Sequence, residues 1–370
     1  MNQQYNILLI INFLRMKKNK IMKYFSFLVY LVAFIACHDD HHTEPELPQG
    51  QWTESHPFKG IPRTGGVSFT IGDVAYVGLG RTLPTATEAL KDFWMYKDTT
   101  WTRIADFPGT ERYGAVAFVL GNIAYVGTGY TPSTKNRADE FHHDFYAYDP
   151  STGKWSDTPV TYLPPDAQGE SNARKDAIAF SLNNKAYVGT GISPKNHALK
   201  DLYCFDGSTW TELYFPGEAR YGASVFVIDD KAVICLGISG ANKTSYLADV
   251  NIFDGITQEW YAPRPLVNLK SHQDDEEYDQ IPRAYAIAFT SDKMDGQTKG
   301  YITTGMSPYL HTCWEYDIQK DHWRKVSDLP TPMIKRMYAV GFSLNGKGYI
   351  TTGGLNSNTP IPADMWSFTP

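Results

Sequence analysis

Six times between residue 63 and the C-terminus the chain repeats one pattern. An Arg opens an apolar strand, a second apolar strand ends in Gly, an aromatic strand follows, and a Trp heads a fourth. The arginines are Arg63, Arg112, Arg174, Arg220, Arg283 and Arg336. A unit of roughly fifty residues with four short β segments cannot bury its own faces and must stack on copies of itself, as propeller blades do. The expectation is an all-β protein, a six-bladed β-propeller of four-stranded antiparallel blades.

The units agree in detail. The second strand and its exit read VAYVGLG at residues 74–80, AYVGTG at 124–129, AYVGTG at 186–191 and GYITTG at 300–305. Asp92, Asp144, Asp201, Asp249 and Asp364 precede the third strand, whereas the fifth unit has Thr312. These aspartates are expected to hold backbone N–H groups of their loops. Trp101, Trp155, Trp210, Trp260 and Trp323 head fourth strands and are expected to pack between blades. The sixth unit stops one strand short, and Trp52 stands before Arg63 as the other tryptophans stand before theirs. An N-terminal strand is therefore expected to complete the last blade and remove its open edge.

Ahead of the repeats, Arg15, Lys17, Lys18, Lys20 and Lys23 precede the apolar residues 24–36 (YFSFLVYLVAFIA). That run is too short to span a bilayer as a mature helix and has the form of an export signal, with Met16 and Met22 as alternative starts. It ends in Phe34-Ile35-Ala36-Cys37, which resembles the lipobox of bacterial lipoproteins. The resemblance implies lipidation of Cys37 and a cell-envelope location at the outer membrane, with the anchor as the only membrane contact. His38-Asp39-Asp40-His41-His42 resembles the surface-export signal of Bacteroidetes lipoproteins. The same residue types could ligate a metal, but a tether holds no fixed geometry, so neither metal nor cofactor is expected. The division is signal and lipobox at 1–37, polar tether at 38–50 and propeller at 51–370. Cys204, Cys235 and Cys313 lie in apolar runs without the spacing of a disulfide or zinc framework. A net charge of −6 argues against nucleic-acid binding.

The first strand of each blade lines the channel, so an Arg at its head is expected to point at the channel mouth. Six like charges there require a counter-charge. Glu111, Glu170, Glu218 and Asp279 stand close before arginines. Two uses are open: Arg–acid pairs that tie blades together, or a receptor for an anionic ligand, since Arg matches carboxylates with two parallel donors. Tyr113, Tyr221, Tyr285 and Tyr338 follow arginines within two positions and would add stacking faces and hydroxyls.

Over residues 51–370 this pattern resembles the kelch family, in the glycines Gly78/Gly80, Gly127/Gly129, Gly189/Gly191 and Gly353-Gly354, the following aromatics and the spaced tryptophans. It is similar to six-bladed sialic acid mutarotases (N-acetylneuraminate epimerases) and to kelch domains that bind acidic peptides. Those resemblances imply an acidic ligand at the six arginines. The acid/base residues of the mutarotases lie in loops that do not align with this sequence, so the resemblance carries over no catalytic residue. The expected function is binding of an anionic glycan or acidic protein segment by a monomeric propeller, with a sugar mutarotase as the alternative. Loops at 131–143, 157–171 and 271–280 are the places for asymmetry. The last, SHQDDEEYDQ, lacks the Gly and alternating spacing of a calcium loop. No copper constellation of the galactose oxidase kind is present, and no Gly-x-Ser-x-Gly, His-Glu-x-x-His or phosphate loop.

Overall fold

Each repeat folds as a meander because its strands are short, alternate in facing, and are joined by residues that tolerate positive φ. Gly72, Gly121, Asn183-Asn184, Asp229 and Asn345-Gly346 turn the inner hairpins at φ between 51° and 71°. The computed structural model describes residues 50–83, 88–240, 245–269, 277–292, 296–354 and 361–370. Cys37, the export-signal residues, all of the tether but Gly50, and residues 271–276 of the acidic loop lie outside that set.

The first blade runs Val67–Ile71, Val74–Gly78, Phe93–Lys97, Thr100–Ile104, each strand antiparallel to the next. The third runs Ile178–Leu182, Lys185–Gly189, Leu202–Phe205, Trp210–Leu213, and the fourth Ser224–Ile228, Lys231–Cys235, Val250–Asp254, Trp260–Tyr261. The second adds Thr161–Tyr162 beside Lys154–Trp155 on its outer edge. The fifth runs Ile287–Asp292, Thr298–Thr303, Cys313–Asp317, His322–Lys325. In the sixth, Gln51–Ser55 pairs with Met365–Thr369 outside Lys347–Thr351 and Val340–Leu344, with Trp52 opposite Phe368. The N-terminal strand thus closes the ring.

The core consists of layers between neighbouring blades. Phe69, Phe93, Phe107, Val126 and Tyr148 fill the layer between blades one and two, and the other junctions are filled the same way. Every fourth-strand Trp spans such a layer. Trp210 stacks on Phe205 of its own blade and meets Phe118 and Phe145 of the preceding one. Cys204, Cys235 and Cys313 are buried and free.

The glycine that ends the second-strand exit has a positional reason. Gly80 sits at φ 93°, and a Cβ there would lie 3.0 Å from the Thr64 carbonyl oxygen. Its N–H donates to the carbonyl of Arg112 at 2.8 Å. The same bond recurs from Gly129 to Arg174, Gly191 to Arg220, Gly237 to Arg283, Gly305 to Arg336 and Gly353 to Arg63. Each blade is pinned by a backbone bond to the repeated Arg of the next.

Candidate functional site

The six repeated arginines do not open onto the mouth. Each is at most 1% exposed and lies inside its blade. Arg63 shows the arrangement, which Arg336 keeps only through Nη2, its Nε and Nη1 being buried without partners among the described residues. In Arg63, Nε donates to the carbonyl two residues back, Nη1 to the carbonyl of Leu79 at the second-strand exit, and the two Nη atoms to both carboxylate oxygens of Asp92, at 3.0 and 2.8 Å. Arg112 pairs with Asp144, Arg174 with Asp201, Arg220 with Asp249 and Arg336 with Asp364. The guanidinium reaches away from the axis because its counter-ion and its carbonyl acceptors are there. This corrects the expected arginine-lined mouth. It also corrects the role of the aspartates, which are counter-ions first; one of them, Asp201, also accepts a backbone N–H, from Thr190.

The acids before the arginines are not the partners. Glu111 binds Arg137, Glu170 binds Lys195, Asp279 accepts from Asn268, and Glu218 offers Arg220 only its backbone carbonyl. Thr312 takes the aspartate's place beside Arg283, accepting from Nη2 at 2.6 Å. With no carboxylate beside it among the described residues, burial pushes Arg283 down to about 10.

The axis itself is occupied by the residues two positions after each Arg: Gly65, Gly114, Asp176, Gly222, Tyr285 and Tyr338. All six have φ between 53° and 64°. Their peptide groups form a closed ring of hydrogen bonds: Gly65 N–H to Tyr338 C=O, Tyr338 to Tyr285, Tyr285 to Gly222, Gly222 to Asp176, Asp176 to Gly114 and Gly114 to Gly65, at 2.8–3.3 Å. Left-handed backbone suits glycine and strains Asp and Tyr, so the three non-glycine members mark a place where side chains are held at a cost. A Cβ on Gly65 or Gly222 would press on the Tyr338 or Tyr285 ring at 3.0–3.1 Å, so the glycines make room for the tyrosines.

Below the ring, a channel of about 220 Å³ is lined by the first strands, largely by Ala, Gly and Val. At the ring, the tyrosines named from the sequence come together. Ring centroids of Tyr285 and Tyr338 are 4.5 Å apart, Tyr113 and Tyr338 6.5 Å, Tyr221 and Tyr285 6.3 Å. Asp176 lies among them, 8% exposed, and its Oδ2 accepts from the Tyr285 hydroxyl at 3.3 Å. Burial raises its carboxyl to about 6, with Lys175, Tyr285 and Arg81 pulling the other way.

Two cations flank this floor. The Arg81 guanidinium carbon is 4.0 Å from the Tyr113 ring centroid, and Lys175 Nζ is 5.1 Å from the same centroid. Lys175 Nζ is also 4.6 Å from the Tyr130 ring and 5.8 Å from Phe141, and it donates to the Tyr113 hydroxyl at 3.3 Å. Neither cation forms an ion pair among the described residues, and Arg81 Nε is buried without a partner there. The loop at 131–143 supplies Phe141 through the hairpin of Tyr130–Thr131 with Glu140–Phe141. His142 turns inward instead, Nε2 2.7 Å from Thr131 Oγ1, and burial and Arg112 push it down to about 4.

The structure therefore gathers Tyr113, Tyr221, Tyr285 and Tyr338, removes the six arginines from the mouth, and adds Arg81, Lys175, Asp176 and Tyr130. Only one signal in the sequence could have found Asp176. At the second position after the repeated Arg it stands where three other units have Gly.

No protein-family model and no curated protein matches the chain. Solved structures match its shape. The structure of YjhT is 18% identical, covers 84% of this chain and 95% of that chain, and superposes with a TM-score of 0.64. At that identity the likeness is one of fold.

Proposed function

We propose that this six-bladed propeller binds a hydroxylated ligand bearing a carboxylate, an acidic sugar or the acidic end of a glycan, at the axial mouth. The observation that carries the reading is the pair Arg81 and Lys175, set against one Tyr113 ring with no acid paired to either among the described residues. A planar guanidinium fork beside an ammonium group suits one carboxylate. Tyr113, Tyr221, Tyr285 and Tyr338 present ring faces for the C–H side of a sugar and hydroxyls for its polar edge. An acidic protein segment is the competing ligand. In the same reading the chain is exported and anchored at the outer membrane through lipid on Cys37. Release of the Cys37→Ser variant from the membrane fraction tests the anchor, and its retention there refutes it.

The binding test is calorimetry with N-acetylneuraminate, D-galacturonate, lactose and a hexaglutamate peptide. The acidic sugars bind more tightly than lactose and the peptide, and the Lys175→Met/Arg81→Met variant loses about tenfold or more in affinity, about 1.4 kcal/mol. Equal binding of lactose, or an unaffected variant, refutes the reading.

One observation favours a second reading, a sugar mutarotase. Ring opening and closing at an anomeric centre needs a group that gives and takes a proton near neutral pH. Asp176, raised to about 6 on the axial floor, has that property. Anomer exchange of N-acetylneuraminate followed by NMR is accelerated by the protein and not by Asp176→Asn if this reading holds. Identical exchange rates with and without protein exclude it.

A further inference from the structure

A larger cavity lies one step outward from the mouth in the third blade. It measures about 560 Å³ and is enclosed by the loop before Arg174 and the loop after Gly191. Both walls continue directly into the mouth. Lys175 pairs through its backbone with Ile192, and Ile192 pairs with Ala198. Asn172 and Ala173 precede that pairing on one wall, and Ser193 follows it on the other.

The cavity has a built polar contact. Asn172 is 7% exposed, and its Nδ2 donates to the Pro164 carbonyl and to the Tyr203 hydroxyl, each at 2.8 Å. The Pro164 carbonyl can only accept, so the amide orientation is fixed. Asn172 Oδ1 is left as an acceptor with no partner among the described residues. Beside it Ala173, Leu199 and Pro194 give an apolar wall, and the Lys195–Glu170 ion pair bridges the two loops at the rim.

We infer that this cavity is a second subsite, taking the sugar residue next to the one at the axis, so that the ligand is an acidic oligosaccharide and not a free acidic monosaccharide. The inference rests on the proposed binding of an acidic sugar at the mouth. A cavity of this volume is within the range of small-ligand sites. A fixed carbonyl acceptor beside an apolar wall suits a pyranose ring or its acylamino substituent, which presents an O–H or N–H donor next to C–H surface. The acidic end stays with Arg81 and Lys175.

The test compares N-acetylneuraminate with sialyllactose, and D-galacturonate with digalacturonate, on the full chain. Ser193→Trp fills the cavity from its lip, and Asn172→Ala removes the acceptor. In the unaltered protein at least one oligosaccharide binds about tenfold more tightly than its monosaccharide. That advantage falls to within about twofold in Ser193→Trp, while monosaccharide affinity is unchanged. The subsite is overturned if the longer ligands gain nothing, or if their gain survives in both variants. Oligosaccharide binding that depends on Ser193 but is indifferent to Lys175→Met/Arg81→Met would keep the subsite and refute the mouth. Absence of binding by all four probes overturns both.

Discussion

Arg283 is the one repeated arginine facing a neutral residue where the others face aspartate, and Thr312→Asp restores the repeat. Arg283 donates to the carbonyls of Gln280, Ile281, Thr304 and Thr312 and to the Thr312 hydroxyl. Its fall from the ordinary 12.5 to about 10 corresponds to about 3 kcal/mol by which the site disfavours its charge. A carboxylate at 312 offsets part of that. The aspartates of the other blades keep 12–33% exposure, however, whereas Thr312 is fully buried, so a new carboxylate is desolvated more than they are. The variant also loses the Thr312 hydroxyl's donation to Tyr309 at 3.2 Å. The net gain expected at pH 7 is about 1–2 kcal/mol, a rise in melting temperature of about 2–3 °C for a domain of this size. Calorimetric melting of Thr312→Asp and of the reciprocal Asp92→Thr measures both directions; the second costs about 2–4 kcal/mol because it leaves Arg63 buried without its counter-ion. Pairing depresses the folded pKa of such a carboxylate, as it does for Asp92. The gain is therefore present above the unfolded value near 4 and lost as pH falls through the lower folded value. A Thr312→Asp variant no more stable than the parent at pH 7, together with a harmless Asp92→Thr, refutes the counter-ion reasoning.

Asp201→Asn leaves Arg174 without its carboxylate and costs about 3–5 kcal/mol by denaturant unfolding; a cost under about 1 kcal/mol shows that the surrounding carbonyls suffice. Asp176→Asn acts in the opposite sense. The folded carboxyl is raised, so its contribution is full below about 4 and lost as pH rises through about 6, by up to about 3 kcal/mol. The variant gains on the parent over that window, and parallel stability–pH curves contradict the assignment. Gly114→Ala destabilises by more than about 2 kcal/mol, because φ is 64° and the new Cβ would lie 2.5 Å from Asp176 Oδ1 and 2.8 Å from the Tyr338 hydroxyl. A neutral substitution there means the axial floor yields.

The fold was legible because every blade repeats its burial pattern, so six weak signals reinforce one another. Strand order, the tryptophan layers and ring closure all follow from that repetition. The site was half legible. Tyr113, Tyr221, Tyr285 and Tyr338 stand close to a repeated landmark and do meet at the axis. The arginines misled because a charged residue at a strand head reads as exposed, and its partner lies 27 to 32 positions away across a loop of variable length. Arg81 and Lys175 carry no motif. That neither forms an ion pair among the described residues is visible only in the assembled packing.

The six hydrogen-bonded peptides at the hub run head to tail in one sense of rotation, and every member gives one proton and takes one. Such a loop has no beginning and no end, and the components of its dipoles in the plane of the ring cancel on circuit. Each of its N–H and C=O groups is paired within the ring, so none is left free as at the terminus of a helix. The electrostatic character of the hub is therefore decided by the three side chains it carries and the two cations beside it, and exchanging those few residues would retune the pocket without disturbing the wheel that holds it.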